Sequence, residues 1–184
     1  MEIFLISDWH FSHDKPFLYE GRGFSSIEEH DEAIIERHND VVKPDDTVFV
    51  LGDCIVGGDV EQEIEKIKRL NGKKYLAIGN HCTDRKIEIY KQNKLFEDIQ
   101  FAYRFRIRKL WFYCCHYPTM VTNTNDKPVW NIHGHDHDTV HFHALWPHCY
   151  DVSADSTNLY PKNIEETYKE IKEYIQYERI FLGE

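Results

Sequence analysis

Asp8 and His10, Asp53, Asn80 and His81, His116, and His135 and His137 are oxygen and imidazole donors, and each stands where a run of apolar, β-prone residues gives way to a loop. Carboxylate, carboxamide and neutral imidazole together suit divalent metals such as Mn, Fe, Zn or Ni. The pieces Asp8-Trp9-His10, Gly52-Asp53, Gly79-Asn80-His81, His116 behind Cys114-Cys115, and Gly134-His135-Asp136-His137 make up a ligand set for two ions. A hydrophobic core has no use for that combination. In extended backbone, Asp8 and His10 point to one side and Trp9 to the other, so the pair can meet one ion. The same geometry covers His135 and His137, with Gly134 supplying an unusual backbone angle and Asp136 directed elsewhere. A single Asp-x-His or His-x-His is weak, because both residue types are common in loops. The force of the pattern lies in the joint occurrence of all the pieces, in order along the chain.

The elements that would carry these residues can be read from periodicity. Ile3 to Ile6 is a short apolar run of the kind that forms a strand buried on both faces, and it ends at Ser7-Asp8. A polar loop through Glu20-Gly21-Arg22-Gly23 leads to Ser26-Ile27-Glu28-Glu29, a capping-box pattern that opens a helix with apolar residues through Val42. Thr47 to Leu51 forms a second buried strand ending at Gly52-Asp53. Ile64, Ile67 and Leu70 set a helical stripe over Glu61 to Leu70, stopped by Asn71-Gly72. Tyr75 to Ile78 makes a third strand into Gly79-Asn80-His81, followed by a helix from about Asp84 to Asn93.

The second half changes character. Residues from Tyr103 to Arg108 alternate apolar with polar, and Trp111 to Cys115 follows, the pattern of an antiparallel hairpin or meander. Val129 to Ile132 and His148 to Val152 are further strands, and Ile164 to Tyr177 keeps helical spacing. Strand and helix alternating first, then mostly strands, predicts two stacked sheets covered by helices.

The 184 residues fit one domain, 1–184, and a hydrophobic share of 41% is that of a folded globular protein. A formal charge of -10 repels polyanions, so long duplex nucleic acid is not an expected partner. No apolar run approaches a membrane span, so no membrane partner is expected either. The five cysteines show no CxxC spacing and no secretory signal precedes them, which points to reduced thiols in the cytoplasm.

Taken together, the motifs resemble those of the calcineurin-like metallophosphoesterases, in order from residue 8 to residue 137. Asp8-Trp9-His10-Phe11-Ser12-His13, Asn39 and the later Val152-Ser153-Ala154-Asp155 are similar to the small bacterial and phage members. The resemblance implies an α/β fold, a four-layer α-β-β-α sandwich of mixed sheets flanked by helices. It implies that Asp8, His10, Asp53 and His137 hold one metal, that Asp53, Asn80, His116 and His135 hold the other, and that Asp53 bridges. Two divalent ions, Mn2+ foremost with Fe, Zn or Ni as alternatives, would lower the pKa of a shared water, and a bridging hydroxide would attack phosphorus. His81 would then protonate the leaving oxygen or stabilise its developing charge, a role that suits an imidazole. The implied activity is hydrolysis of phosphoesters, diesters ahead of monoesters, with a small phosphoester as substrate. Cys82 follows Gly-Asn-His where the family usually has an acidic residue, which leaves open what orients His81.

Two residues outside the motifs are candidate substrate contacts: Arg22, a bidentate donor in a Gly-flanked loop, and Asn39, expected to line the same cleft. His13 and His133 are candidate donors that orient ligands. His30, His38, His141, His143 and His148 read as structural or solvated, and Arg104, Arg106, Arg108 and Lys109 as a solvated outer face. Two rival readings stand beside the enzyme: a scaffold that keeps the fold without catalysis, and a structural zinc site built from cysteines and the histidine-rich 133–148 stretch.

Overall fold

The computed structural model describes residues 1–121, 129–142 and 147–182. His143 lies outside the described residues. In chain order the elements are β1 (Ile3–Ile6), α1 (Pro16–Tyr19), α2 (Ile27–Val41), β2 (Thr47–Val50), α3 (Val60–Lys68), β3 (Lys73–Ala77), α4 (Asp84–Gln92), β4 (Asp98–Gln100), β5 (Ala102–Ile107), β6 (Leu110–Cys115), β7 (Val129–His133), β8 (Cys149–Asp151), β9 (Lys162–Asn163) and α5 (Ile164–Leu182).

The first sheet has the order β4-β3-β2-β1-β9, with β1 to β4 parallel and β9 antiparallel at the edge. Parallel neighbours need long crossovers, which α2, α3 and α4 supply. Each helix starts at a capped end: Ser26 accepts from the Glu29 N–H, Asp59 from Glu61 and Thr83 from Lys86. Their apolar stripes, Ile34 and Ile35, Ile64 and Ile67, and Ile89 and Tyr90, meet Phe4, Ile6, Val48, Val50 and Leu76 in one buried cluster. The period-two alternation of the strands sends Leu5, Leu51 and Ala77 the other way, onto a second sheet.

That second sheet has the order β5-β6-β7-β8, and its Phe112, Cys114, Trp130, Ile132 and Tyr150 complete the inter-sheet core, joined by Ile164 and Ile171 of α5. Truncating any one of these fully buried large side chains to alanine would cost about 3–5 kcal/mol. The result is two mixed sheets flanked by helices, as expected. The hairpin expected from Tyr103 to Cys115 forms as the antiparallel pair β5 and β6, while β6, β7 and β8 run parallel, a pairing the strand patterns did not specify. The difference matters for the site. A meander would discharge β6 and β7 at opposite edges, whereas parallel strands deliver His116 and Gly134-His135 to the same one. The connections over 116–128 and 134–148 are long enough to carry the chain back.

Three short elements carried no sequence signal. These are the single-turn α1 inside the expected polar loop, and the strands β4 and β9, three and two residues long.

Candidate metal centre

Asp8 leaves β1, Asp53 leaves β2, Asn80 and His81 leave β3, His116 leaves β6, and His135 and His137 leave β7. The two sheets therefore aim the loops that follow five parallel strand ends at one rim. Extended geometry does not place the side chains. Asp8, His10, Asp53, His135 and His137 all lie in the left-handed region, at φ of 58°, 55°, 50°, 73° and 52°. Each such residue costs on the order of 1–3 kcal/mol and persists only where its surroundings over-determine it. Gly134 serves differently from expectation as well. The unusual angles fall on the histidines after it, while Gly134 supplies space, since a Cβ there would collide with the Asp8 carboxylate and the Ser7 hydroxyl. Gly79 stands in the same relation to the Asp53 carboxylate.

Three groups of donor atoms converge, each within 4.8 Å: Asp8, His10 and His137; His10, Asp53 and His81; and Asp8, Asp53 and His116. Asp53 joins them, its Oδ2 lying 3.3 Å from His116 Nε2 and 3.9 Å from His10 Nε2. Asn80 Oδ1 is 2.7 Å from His116 Nε2 and 2.9 Å from His135 Nδ1. The His116 Nδ1–H donates to the Leu51 carbonyl at 2.8 Å, so its Nε2 presents a lone pair to an oxygen that can only accept. Lone pairs gathered this way are relieved by a proton or by a cation. Asp8 Oδ1 and His10 Nε2 are buried with no hydrogen-bond partner, a costly state for groups of this polarity. Orphaned carboxylate and imidazole atoms facing one another, on a donor set of O and N, fit a divalent metal.

The field at the rim is balanced between acids and imidazoles. Burial works to raise the Asp8 pKa, but the His10 imidazole facing it at 3.5 Å and the charges of His116 and His137 outweigh it, and the carboxyl is held well below the usual range. Asp53 is lowered too, burial being outweighed by His116 and by the His81 N–H. For His116 and His137 burial pulls downward, while Asp53 and Asp155 respectively outweigh it, so both imidazoles are raised. In His10 burial prevails over Asp8, and the pKa falls.

Around these donors lies a supporting layer. Asp155 Oδ2 accepts from His137 Nδ1 at 2.7 Å, which turns the Nε2 lone pair toward Asp8 Oδ1 at 3.8 Å. Arg22 grips the same carboxylate with Nε at 2.9 Å and Nη2 at 2.8 Å, and donates to the Trp9 and Asp8 carbonyls. Its side chain is only 4% exposed, so the guanidinium expected to reach phosphate instead braces the site from below. Asn39 is not brought to the rim at all. The crossover helix α2 runs back against the strands, and Asn39 near its C-terminus bonds Arg69 O and Asn71 N at the start of β3.

His13 Nδ1 is 3.2 Å from His10 Nδ1, and His133 Nδ1 donates to the Gly134 carbonyl at 2.8 Å, so both expected supports touch the motifs. The His81 backbone is anchored on both sides: the N–H donates to Asp53 Oδ1 at 2.8 Å, and the carbonyl accepts from Lys86 Nζ at 3.0 Å. Lys86 also holds Ile55 O at 2.6 Å, tying the Asp53 and Asn80 loops together. All five cysteines are buried and free, and none enters a candidate ligand group among the described residues. Among the described residues, no cysteine-containing group supports the structural zinc reading.

Comparison with known proteins places this arrangement. The model of the calcineurin-like phosphoesterase family matches residues 1–178. An uncharacterized protein of Methanocaldococcus jannaschii is 33% identical over 138 residues, 74% of this chain and 69% of that protein. The gene 66 protein of Mycobacterium phage L5 is 37% identical over 79 residues, 41% of this chain and 37% of its own. A protein of unknown function from Aquifex aeolicus has a solved structure that shares the fold, with a TM-score of 0.67 at 21% identity, covering 91% of this chain and 98% of that one.

Proposed function

This chain belongs to the calcineurin-like phosphoesterase family, and we propose that it hydrolyses small phosphodiesters at a centre holding two divalent cations, with Mn2+ the favoured metal. The observation that carries this reading is the position of Asp53, whose carboxylate Oδ2 lies between the His10 and His116 imidazoles while Oδ1 accepts from the His81 N–H. Only a charged carboxylate, with two oxygens, shares two cations comfortably.

Asp8, His10 and His137 with Asp53 would hold one ion, and Asn80, His116 and His135 with Asp53 the other. When bound, such a pair lowers the pKa of a water and screens phosphoryl oxygens. The chain's own residues do the rest. Asp155 and Arg22 fix the His137 ring, Leu51 O fixes the His116 tautomer, and Lys86 with Asp53 fixes the His81 backbone. The His81 ring, 5.5 Å from that of His10 between centroids, stands at the rim where it can give a proton to a leaving oxygen. The free, buried cysteines accord with a reducing cytoplasmic setting. No described helix is long and apolar enough to cross a membrane.

Hydrolysis of bis(p-nitrophenyl) phosphate with added Mn2+ tests the reading. Turnover should vanish with chelator, and His81→Ala should cut kcat by about 100-fold or more while metal content holds. Absence of turnover in the Mn2+-loaded protein would overturn it.

A further inference from the structure

Beside the donor cluster, on the His10 and His137 side, opens a cavity of about 330 Å3 whose other walls are His13, Phe17, Leu18, Gly21 and Asp155. It shares His10 and His137 with the candidate metal centre, so whatever fills it is attached to, or adjacent to, a group held by the ions. Its walls are unlike the rim. Leu18 is buried at its base, and Phe17 stands 74% exposed at its mouth on the single turn α1, where Pro16 presets the backbone. Isolated exposed phenylalanines need no explanation. This one stands over a cavity, with the His13 ring set edge-on to it at 5.7 Å and the two ligand-side imidazoles on the far wall. Arg22, the nearest guanidinium, is turned inward onto Asp155 and offers the cavity no charge.

We infer that this cavity seats the organic substituent of the phosphoester, and that the substituent carries a planar aromatic ring of the nucleobase kind, stacked on Phe17. The inference rests on the proposed phosphoesterase reading and deepens it. A small polar alcohol would leave the Phe17 face wet, and a cationic substituent would meet only Asp155, a wall carboxylate already paired with Arg22 and His137. A flat ring gains from the exposed π-face irrespective of its hydrogen-bonding edge.

Calorimetric titration of the Mn2+-loaded protein with adenosine 5′-monophosphate and with ribose 5-phosphate separates the ring from the phosphate and sugar. The nucleotide should bind about ten-fold more tightly. Phe17→Ala should abolish that difference while leaving ribose 5-phosphate unchanged, and Phe17→Trp should preserve it. Equal affinities for the two ligands, or a preference that survives Phe17→Ala, would overturn the inference. Binding as expected without hydrolysis of any diester would instead count against the catalytic reading and leave the aromatic seat standing.

Discussion

The two ends of the first sheet carry the same residue types and use them in opposite ways. At the N-terminal ends of β1 to β3, Asp46 accepts from Glu2 N at 2.7 Å and Lys43 N at 2.9 Å, Asn39 bonds Arg69 O and Asn71 N, and His38 Nε2 meets Asn71 O at 3.0 Å. Every carboxylate and amide named there is spent inside the fold. At the C-terminal ends, Asp8 Oδ1 and His10 Nε2 are buried without partners, and the residues bearing them lie in left-handed backbone. An aspartate or histidine is thus not informative by its type. What distinguishes a binding edge from a structural one is whether the carboxylate lone pairs are already used, since His38 Nδ1 is also without a partner at the structural edge.

Breaking the C-terminal edge should have the largest effect. Asp53→Asn removes the charge that faces both imidazoles, and turnover should fall by about 1000-fold or more with loss of at least one ion per chain, read by diester hydrolysis and elemental analysis. Turnover within ten-fold of wild type would place the chemistry elsewhere.

The N-terminal edge makes its own prediction in pH. Burial lowers the His38 pKa to about 4 from an ordinary 6.5. A depressed histidine is neutral in the fold while the unfolded chain takes up a proton, so the stability it contributes is present above pH 6.5 and is lost as pH falls toward about 4. At about 1.4 kcal/mol per unit the loss is on the order of 3–4 kcal/mol. Urea unfolding at stepped pH should show a slope over this window that His38→Gln flattens; identical slopes would contradict the assignment.

A smaller effect is expected one layer outside the donors. Asp155→Ala frees His137 to rotate, and Mn2+ affinity should drop by about 10–100-fold with the fold intact, measured by titration. Asn39→Ala sharpens the contrast from the other side. It should cost about 1–2 kcal/mol of stability through two lost hydrogen bonds and leave turnover unchanged.

Where strand ends carry donors of fitting chemistry, the sequence sufficed to name the rim: Asp8, Asp53, Asn80 and His116 each follow an apolar run, and all reach the cluster. The Ser26 capping box likewise marked the start of α2. Residues whose roles depend on tertiary geometry were beyond reach. Asp155 matters because it lies 2.7 Å from His137 and in bidentate contact with Arg22, and nothing local to Ala154-Asp155 announces that. Arg22 has the composition of a phosphate contact, but the half-buried Asp155 carboxylate across the fold claims its donors. Asn39 could be excluded only by knowing that α2 runs antiparallel to the strands it connects. The parallel pairing of β6, β7 and β8 depends on connections far along the chain, which alternation within a strand does not report.

Anomalous diffraction from Mn2+-soaked crystals puts the central claim most directly at risk. Two peaks should appear at the rim, roughly 3.5–4 Å apart, with the Asp53 carboxylate between them. One peak alone, or two that do not share Asp53, would contradict it.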